Sequence, residues 1–194
     1  NSTVKHVELD ITDLNLIVDL IVNEKPDYIF HLAAQAIVQT SYQHPTATWE
    51  TNVLGTINIL ESLRMTQAPT IAILITSDKC YENQEWVWGY REIDRLGGSD
   101  PYSASKAAAE LAIKSYISSY FSDSSNIHKI GVARAGNVIG GGDWAEDRLI
   151  PDIVRSIIQK ENLIIRNGTS TRPWQHVIEP LYGYLILSVR LFQE

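Results

Sequence analysis

Cysteine is almost absent from this sequence. Its 194 residues include a single cysteine, Cys80. One cysteine excludes an intrachain disulfide and a zinc site built from several thiolates, and we expect no bound metal ion. A protein without disulfides suits a reducing compartment, so we expect it to be cytoplasmic.

Positive charge is also scarce. The sequence has 16 lysine and arginine residues against 23 aspartate and glutamate residues, and it contains no long run of lysine or arginine. A protein that binds the phosphate backbone of nucleic acids needs a basic surface. The sequence therefore argues against a nucleic-acid partner, although a few local arginines could hold a small anion.

Long apolar runs are missing as well. The longest, such as Ile71 to Ile75 and Tyr184 to Leu187, are far too short to cross a bilayer, and the first residues show no signal-peptide pattern. We therefore expect no membrane partner. The hydrophobic content of 44% still allows a globular domain with a substantial core.

A glycine-rich phosphate-binding motif is also absent. No Gly-x-Gly-x-x-Gly occurs, although a dinucleotide-binding fold normally carries one after its first strand. The run Gly140 to Gly142 opens no helix and is interpreted as a flexible loop near a site. Ser2 to Asp10 already alternate like a strand, and the final helical pattern over 180–194 has no terminator. We therefore expect a piece of a longer protein.

Strand-like and helical patterns alternate along the chain. Three apolar runs of strand length, DYIFHLAA, TIAILITS and HKIGVARAG, are separated by helical patterns over 45–65 and 102–121. An earlier helical pattern follows Thr12 and Asp13, which can serve as caps. Unbroken apolar strands are buried on both faces, so the alternation predicts an α/β fold with a doubly wound parallel sheet.

The end of the chain and one long internal segment depart from this alternation. Residues 1–149 are assigned to an incomplete sheet domain, and residues 150–194 to part of a small substrate-binding lobe with a helix that returns to the sheet. Within the lobe, NLIIRNG is predicted to be a short strand. The segment 78–100 is too long for a simple connection, and it holds Trp86, Trp88 and Tyr90, which indicates a role in binding or assembly.

The ligand of a doubly wound sheet lies beyond the carboxyl ends of its strands. Small or polar residues follow each predicted strand, at Asp10–Ile11, Ala33–Gln35, Ser77–Lys79 and Ala135–Asn137. We expect a binding site where these segments meet.

Tyr102 and Lys106 lie four positions apart at the start of an alanine-rich helical pattern, so they share one helix face. A cation one turn from a phenol stabilises the phenolate and lowers the tyrosine pKa from about 10. Tyr102 would then be a usable general base. The alternative is structural, with Lys106 a solvated helix lysine and Tyr102 an anchor at the N-terminus of the helix.

Five segments carry a family resemblance: HLAAQ, TSDKCYEN, PYSASKAAAE, RAGNVIGGGDWAEDRLIPD and RPWQHVIEPLYGYL. Together they resemble the extended short-chain dehydrogenase/reductase family, most closely its CDP-glucose 4,6-dehydratase branch. The resemblance covers nearly the whole chain and implies a Rossmann-like domain that binds NAD. It implies a lyase that converts CDP-glucose to CDP-4-keto-6-deoxyglucose, with the glycine-rich loop and the rest of the lobe outside this chain.

The resemblance also implies catalytic roles. Tyr102 removes the proton of the sugar 4-hydroxyl while NAD accepts hydride from C4, Lys106 holds the nicotinamide ribose, and Ser77 hydrogen-bonds the same hydroxyl. Asp78 as acid and Lys79 as base then eliminate water across C5 and C6, and hydride returns to C6. Many related dehydratases carry a glutamate where Lys79 stands, so the lysine resembles the CDP-glucose branch.

Further positions are assigned to ligands. Besides Tyr102 and Lys106, the expected cofactor-binding residues are Asp10, Ile11, Leu32, Ala33, Ala34, Gln35 and Asn52. The expected substrate-binding residues are Asn137, Arg148 and Arg172, the two arginines because guanidinium forks fit phosphate oxygens.

Several of these positions also have a purely structural interpretation. Asp10 could cap the helix that starts near Asp13, the alanines could serve core packing, and either arginine could be a surface residue. Asn52 could hydrogen-bond a neighbouring strand or the backbone of the site. His176 is expected to be structural or to hydrogen-bond rather than bind a metal.

The two long helical patterns, 45–65 and 102–121, resemble the pair that forms a four-helix dimer interface in this family. Alanines at 107, 108, 109 and 112 would permit close helix approach, so we expect a homodimer or a dimer-based oligomer.

Other functions stay open. A nucleotide-sugar epimerase or reductase would use the same Tyr102, Lys106 and NAD but would not need Asp78 and Lys79. A non-catalytic sensor would lack Tyr102 or Lys106. A chain without its phosphate loop could also be inactive.

Overall fold

The main sheet has three parallel strands in the order β1 (Tyr28–His31), β2 (Ile71–Ile75) and β3 (Lys129–Ala133). The structure is a computed structural model that describes residues 4–123 and 125–193. Ile71 of the central strand is opposite both Tyr28 and Lys129. The first four residues of β2 are buried, as expected for a strand with both faces covered.

Helices connect and cover these strands. In chain order they are α1 (Leu14–Glu24), α2 (Val38–Gln43), α3 (Pro45–Trp49), α4 (Gly55–Met65), α5 (Pro101–Tyr116), α6 (Leu149–Gln159) and α7 (Ile178–Gln193). A π-helical segment, Glu50–Leu54, joins α3 to α4, and a second one, Ile117–Phe121, extends α5. The two long helices predicted over 45–65 and 102–121 are therefore confirmed.

Both faces of the sheet are covered. Helices α1, α4 and α5 pack on one face, around the fully buried Leu60, Leu74 and Ile113. Helix α7 packs on the other face, where Tyr184 contacts the apolar residues of β2. Gly131 in β3 permits this contact, since a Cβ there would lie 2.9 Å from the side chain of Leu191. The predicted α/β fold with a doubly wound parallel sheet is confirmed.

Two helix starts follow directly from the sequence. Asp13 caps α1, and its side chain accepts a hydrogen bond from the backbone N–H of Leu16 at 3.1 Å. Asp100 and Ser103 form a capping box at α5, with Pro101 at the first helical position. Both devices satisfy backbone N–H groups that have no partner within the helix.

A second, small sheet was not predicted. Strands β4 (Asn137–Ile139) and β5 (Trp174–His176) pair in parallel, with Asn137 opposite Trp174. The division of the chain at 149/150 stays a prediction. Among the described helices, none is long and apolar enough to span a membrane.

Two predicted strands are wrong. Neither Val4–Asp10 nor 162–168 has strand structure. An extended segment becomes a strand only beside a hydrogen-bonded neighbour, and no described strand pairs with either segment. Ile164, which the predicted strand would bury, is 85% exposed. The beginning of the first prediction, and Glu194 of the final helix, lie outside the described residues.

Candidate active site

The carboxyl ends of the three main strands bring three segments together, because parallel strands end at one edge of a sheet. These segments are 32–35, 76–79 and 134–137. The second and third continue the ladder beyond the strands: the N–H of Thr76 donates to the carbonyl of Ala133 at 2.9 Å, and that of Asp78 to the carbonyl of Ala135 at 3.0 Å. Of the four segments expected to meet, these three follow the strands of one parallel sheet, whereas Asp10–Ile11 follows no strand.

Ser77, Asp78 and Lys79 form a short hydrogen-bonded cluster at the end of β2. Ser77 donates from Oγ to Asp78 Oδ1 at 3.0 Å and accepts from the backbone N–H of Lys79 at 3.2 Å. Lys79 donates from Nζ to Asp78 Oδ1 at 3.1 Å and to Asn137 Oδ1 at 3.0 Å. A carboxyl and an amine, two groups that can act as general acid and general base, are therefore in direct contact.

Tyr102 and Lys106 occupy the first two turns of α5, and both are buried, with 7% and 6% of their surface exposed. Burial raises the pKa of Tyr102, because it disfavours the phenolate, and the nearby Ser77 hydroxyl partly offsets this. The predicted lowering of the Tyr102 pKa is therefore not seen. Burial also lowers the pKa of Lys106 to about 8, so the charged form that was expected to stabilise the phenolate is less favoured.

Lys106 has unusual surroundings for a lysine. Within residues 4–123 and 125–193, its ammonium takes part in no hydrogen bond or ion pair. The neighbouring His31 has its pKa lowered to about 4, first by burial and second by the charge of Lys106. His31 is held by a 3.1 Å hydrogen bond between Nε2 and Thr56 Oγ1. The Lys106 ammonium is therefore buried, and its hydrogen-bond donors have no acceptor among the described residues.

Asn52 connects the end of β1 to α5. Its Oδ1 accepts from the backbone N–H of Gln35 at 2.9 Å, and its Nδ2 donates to the carbonyl of Gln35 at 3.0 Å and to Ser105 Oγ at 2.9 Å. Of the two contacts considered for Asn52, the structure shows the one with the backbone of the site, and its role in cofactor binding stays a prediction. Asn52 lies in the π-helical segment, a feature often found at functional sites.

Sequence reasoning missed a buried ion pair beside the site. Arg134, just after β3, makes a two-pronged contact with Glu110 of α5, at 2.9 Å from Nε and 2.8 Å from the terminal nitrogen. Its other terminal nitrogen donates to the Tyr81 hydroxyl at 2.8 Å. Thr76 also donates to Glu110. The available signals were an arginine directly after an apolar strand and a glutamate one turn beyond Lys106.

The insertion over 78–100 folds back on itself. Tyr81 pairs with Leu96 in an antiparallel bridge, and the Tyr81 and Tyr90 rings stack with centroids 5.2 Å apart. Trp86 then contacts Tyr90 at 5.2 Å and Trp88 at 5.4 Å. The Arg134 guanidinium lies 4.9 Å from the centroid of the Tyr81 ring. This cation–π contact links the stacked aromatic side chains to the edge of the sheet.

The first predicted cofactor segment has local contacts. Asp10 accepts from the backbone and hydroxyl of Thr12 at 2.9 and 2.8 Å, and these hydrogen bonds lower its pKa. Asp10 therefore closes the turn before α1, whereas the cap itself is Asp13. Ile11 packs against Gly55 and the core. At the end of β1, in contrast, Leu32 and Ala33 are exposed.

The two predicted phosphate-binding arginines differ. Arg148 pairs with Asp143 at 2.8 Å, and its charge acts on Tyr102, where it lowers the pKa. Arg172 is exposed and donates to the carbonyl of its neighbour Thr171 at 2.6 Å. The next residue, Pro173, lines a cleft of about 300 Å³. The cleft is lined by Asp78, Arg134, Gly136, Pro173, Trp174 and Gln175.

His176 accepts a hydrogen bond at Nδ1 from the backbone N–H of Ile178 at 3.3 Å. Within the part of the chain that the structure describes, no group of three or more histidine, cysteine or carboxylate side chains could hold a metal ion.

A parallel sheet with Ser77, Tyr102 and Lys106 at its carboxyl edge is the arrangement of an extended short-chain dehydrogenase/reductase, as the motifs predicted. Residues 1–186 match the family model described as GDP-mannose 4,6 dehydratase, and the chain belongs to that family.

Curated relatives include both dehydratases and epimerases. The CDP-glucose 4,6-dehydratase of Salmonella typhimurium is 50% identical over 95% of this chain and 52% of its own length. The UDP-glucose 4-epimerase of Mycoplasma pneumoniae is 23% identical over 92% of this chain and 55% of its own length. The chain thus spans about half the length of these relatives.

Solved structures share the fold. A double mutant of a dTDP-glucose 4,6-dehydratase from Streptomyces venezuelae, solved with NAD and DAU bound, superposes with a TM-score of 0.83 at 25% identity; the match covers 94% of this chain and 54% of that one. The UDP-glucose 4-epimerase from Thermotoga maritima superposes with a TM-score of 0.82 at 23% identity; the match covers 93% of this chain and 58% of that one.

Proposed function

We propose that the full-length protein is an NAD-dependent nucleotide-sugar 4,6-dehydratase, a lyase that acts on CDP-glucose. The contact between Asp78 and Lys79 at the end of β2 carries this proposal, because an elimination of water needs an acid and a base side by side. The 50% identity to a CDP-glucose 4,6-dehydratase supports the choice of nucleotide.

The residues present fit NAD. The buried Lys106 ammonium, which has no partner among the described side chains, can donate to the hydroxyls of the nicotinamide ribose. The exposed Leu32 and Ala33, with Ala34 and Gln35, leave the end of β1 open to the dinucleotide, and Asp10 and Ile11 would lie toward its adenine. Asn52 holds the backbone of Gln35 in place. NAD, when bound, accepts the C4 hydride and returns it to C6.

Tyr102 acts first in this scheme. As the phenolate, which the Lys106 ammonium one helical turn away would stabilise against the effect of burial, it takes the proton of the sugar 4-hydroxyl. Ser77, whose hydroxyl partly opposes the rise of the Tyr102 pKa, hydrogen-bonds the same oxygen. The resulting 4-ketone makes the C5 proton acidic.

Asp78 and Lys79 act second. The Lys79 amine takes the C5 proton, the electron pair of that C–H bond forms the C5–C6 double bond, and the C6 hydroxyl departs as water with the proton of Asp78. Both side chains are about one-third exposed, so substrate can reach them. Arg148, whose charge lowers the Tyr102 pKa, would contact the substrate pyrophosphate, together with Arg172, which precedes the cleft residue Pro173.

Mass analysis of the product tests this proposal. The full-length protein incubated with CDP-glucose and NAD should give a product lighter by one water. A new chromatographic peak with the mass of the substrate would instead show an epimerase, the alternative that has no use for the Asp78–Lys79 pair. Parallel incubations with UDP-glucose and dTDP-glucose identify the nucleotide, and the absence of any product with all three would refute the proposal.

Assembly and location are further parts of the proposal. The helical stretches 45–65 and 101–121 expose large apolar residues, among them Leu54, Leu111 and Tyr120, which supports a homodimer formed through these helices. The buried free thiol of Cys80 supports a cytoplasmic location.

A further inference from the structure

Asn137 contacts the proposed base directly. Its Oδ1 accepts a hydrogen bond from Lys79 Nζ at 3.0 Å, across 58 positions of sequence. We propose that Asn137 is a positioning residue that holds Lys79 in place for the elimination, rather than a ligand of the substrate. This inference rests on the proposed function.

The backbone fixes Asn137 more firmly than a loop would. It is the first residue of β4 and is paired with Trp174 of β5. The preceding Gly136 packs so closely against Pro173 that a Cβ there would lie 2.9 Å from the Pro173 carbonyl oxygen. The amide therefore sits at a set place opposite the end of β2.

Lys79 needs such a partner, because a lysine side chain has several freely rotating bonds and its head group is otherwise mobile. Its other partner, Asp78, can hold it strongly only as a carboxylate, and Asp78 must carry a proton when it acts as the acid. The Asn137 amide stays neutral at every step, and both the amine and the ammonium of Lys79 can donate to it. Asn137 can therefore hold Lys79 throughout the cycle.

Kinetics of Asn137→Ala and Asn137→Ser in the full-length protein test this role. With CDP-glucose and NAD, kcat for product formation should fall about 10²-fold, because a general base out of position removes the C5 proton more slowly. KM should change little. NADH absorbance should build up, since oxidation at C4 precedes the elimination. Asn167→Ala, at an exposed asparagine of the same part of the chain, should behave like wild type. A raised KM with unchanged kcat and no NADH build-up would make Asn137 a substrate ligand and overturn the inference.

A second measurement does not depend on turnover. The rate at which acetic anhydride acetylates Lys79, followed by mass spectrometry, should rise roughly three- to tenfold in Asn137→Ala, because the ammonium loses an acceptor. In Asn137→Asp it should fall below wild type, because a carboxylate holds the ammonium more strongly. Lys114, exposed on α5, serves as the internal reference.

The two measurements separate the two proposals. Unchanged Lys79 labelling in both variants would overturn the positioning role whatever the enzyme does. Altered labelling in a protein whose wild type releases no dehydrated product would leave the Asn137–Lys79 contact established and refute the proposed function instead.

Discussion

Asn52 and Gln35 are joined by a reciprocal pair of hydrogen bonds, one in each direction between the Asn52 amide and the Gln35 backbone. The same Asn52 amide also donates to Ser105, which lies between Tyr102 and Lys106 on α5. One buried side chain thus sets the distance between the end of β1 and the helix that carries the two catalytic candidates.

Replacing Asn52 with alanine should lower the free energy of unfolding by about 2–4 kcal/mol, because the amide is 1% exposed and its loss leaves both Gln35 backbone groups without their partner. Asn58→Ala is the matched control on the same helical stretch, since Asn58 donates one hydrogen bond, to the carbonyl of Ile11. Urea unfolding of both variants checks this. Equal losses would show that the Asn52 contacts contribute no more than one ordinary hydrogen bond.

Arg134→Met should destabilise the protein by about 3–5 kcal/mol, because it leaves the buried Glu110 carboxylate without its ion-pair partner. The double variant Arg134→Met with Glu110→Met should recover a large part of that loss, since no uncompensated charge remains. A double variant as unstable as the single one would show that the aromatic insertion, which Arg134 also binds through Tyr81, dominates the effect. Thermal unfolding monitored by tryptophan fluorescence measures both.

Lys106→Met should stabilise the protein while it abolishes turnover. The Lys106 pKa is about 8 when folded against 10.5 for the ordinary group, so above pH 8 the unfolded state binds more protons and folding gains stability as pH rises. Below pH 8 the cost of burying the ammonium, about 3 kcal/mol, is present in full.

The stability difference between Lys106→Met and wild type should therefore be largest at pH 7 and should vanish toward pH 10.5. Urea unfolding at several pH values checks this, with Lys114→Met, at an exposed position of the same helix, as the control. A difference that stays constant with pH would contradict the lowered Lys106 pKa.

Lys79→Met should separate oxidation from elimination. Loss of a general base typically costs about 10²- to 10⁴-fold in rate, so NADH should accumulate with CDP-glucose while the dehydrated product forms slowly and C5 exchange with heavy water falls. Tyr102→Phe should suppress the NADH signal as well, because it acts one step earlier. Unchanged product formation in Lys79→Met would assign the base to another residue.

Leu111→Glu should convert the expected dimer to monomer. Leu111 is 58% exposed on α5, and burying a new carboxylate between two copies of that helix would be costly. Ile158→Glu, at an apolar position of α6 that is 67% exposed, is the control that should leave the dimer intact. Sedimentation velocity at micromolar concentration distinguishes the two states. A wild-type protein that sediments as a monomer would refute the assembly itself.

The sequence alone determined the features that depend on local pattern. Strand β2 was predictable because its apolar residues form an unbroken run, and the start of α5 because Asp100, Pro101 and Ser103 form a cap within four positions. Five motif segments, among them those with Ser77–Lys79 and with Tyr102 and Lys106, together carried the family resemblance, and the alternation of strands and helices placed them at the edge of one sheet.

Only the tertiary structure determined which distant segments are in contact and how burial changes the pKa values of their ionisable groups. The Arg134–Glu110 pair, the Lys79–Asn137 contact and the small β4–β5 sheet join residues with no common local pattern. The predicted lowering of the Tyr102 pKa was wrong for the same reason. Spacing along a helix shows that Lys106 is near, but the pKa depends first on how much water the whole fold removes from both groups, and burial is not a local property of the sequence.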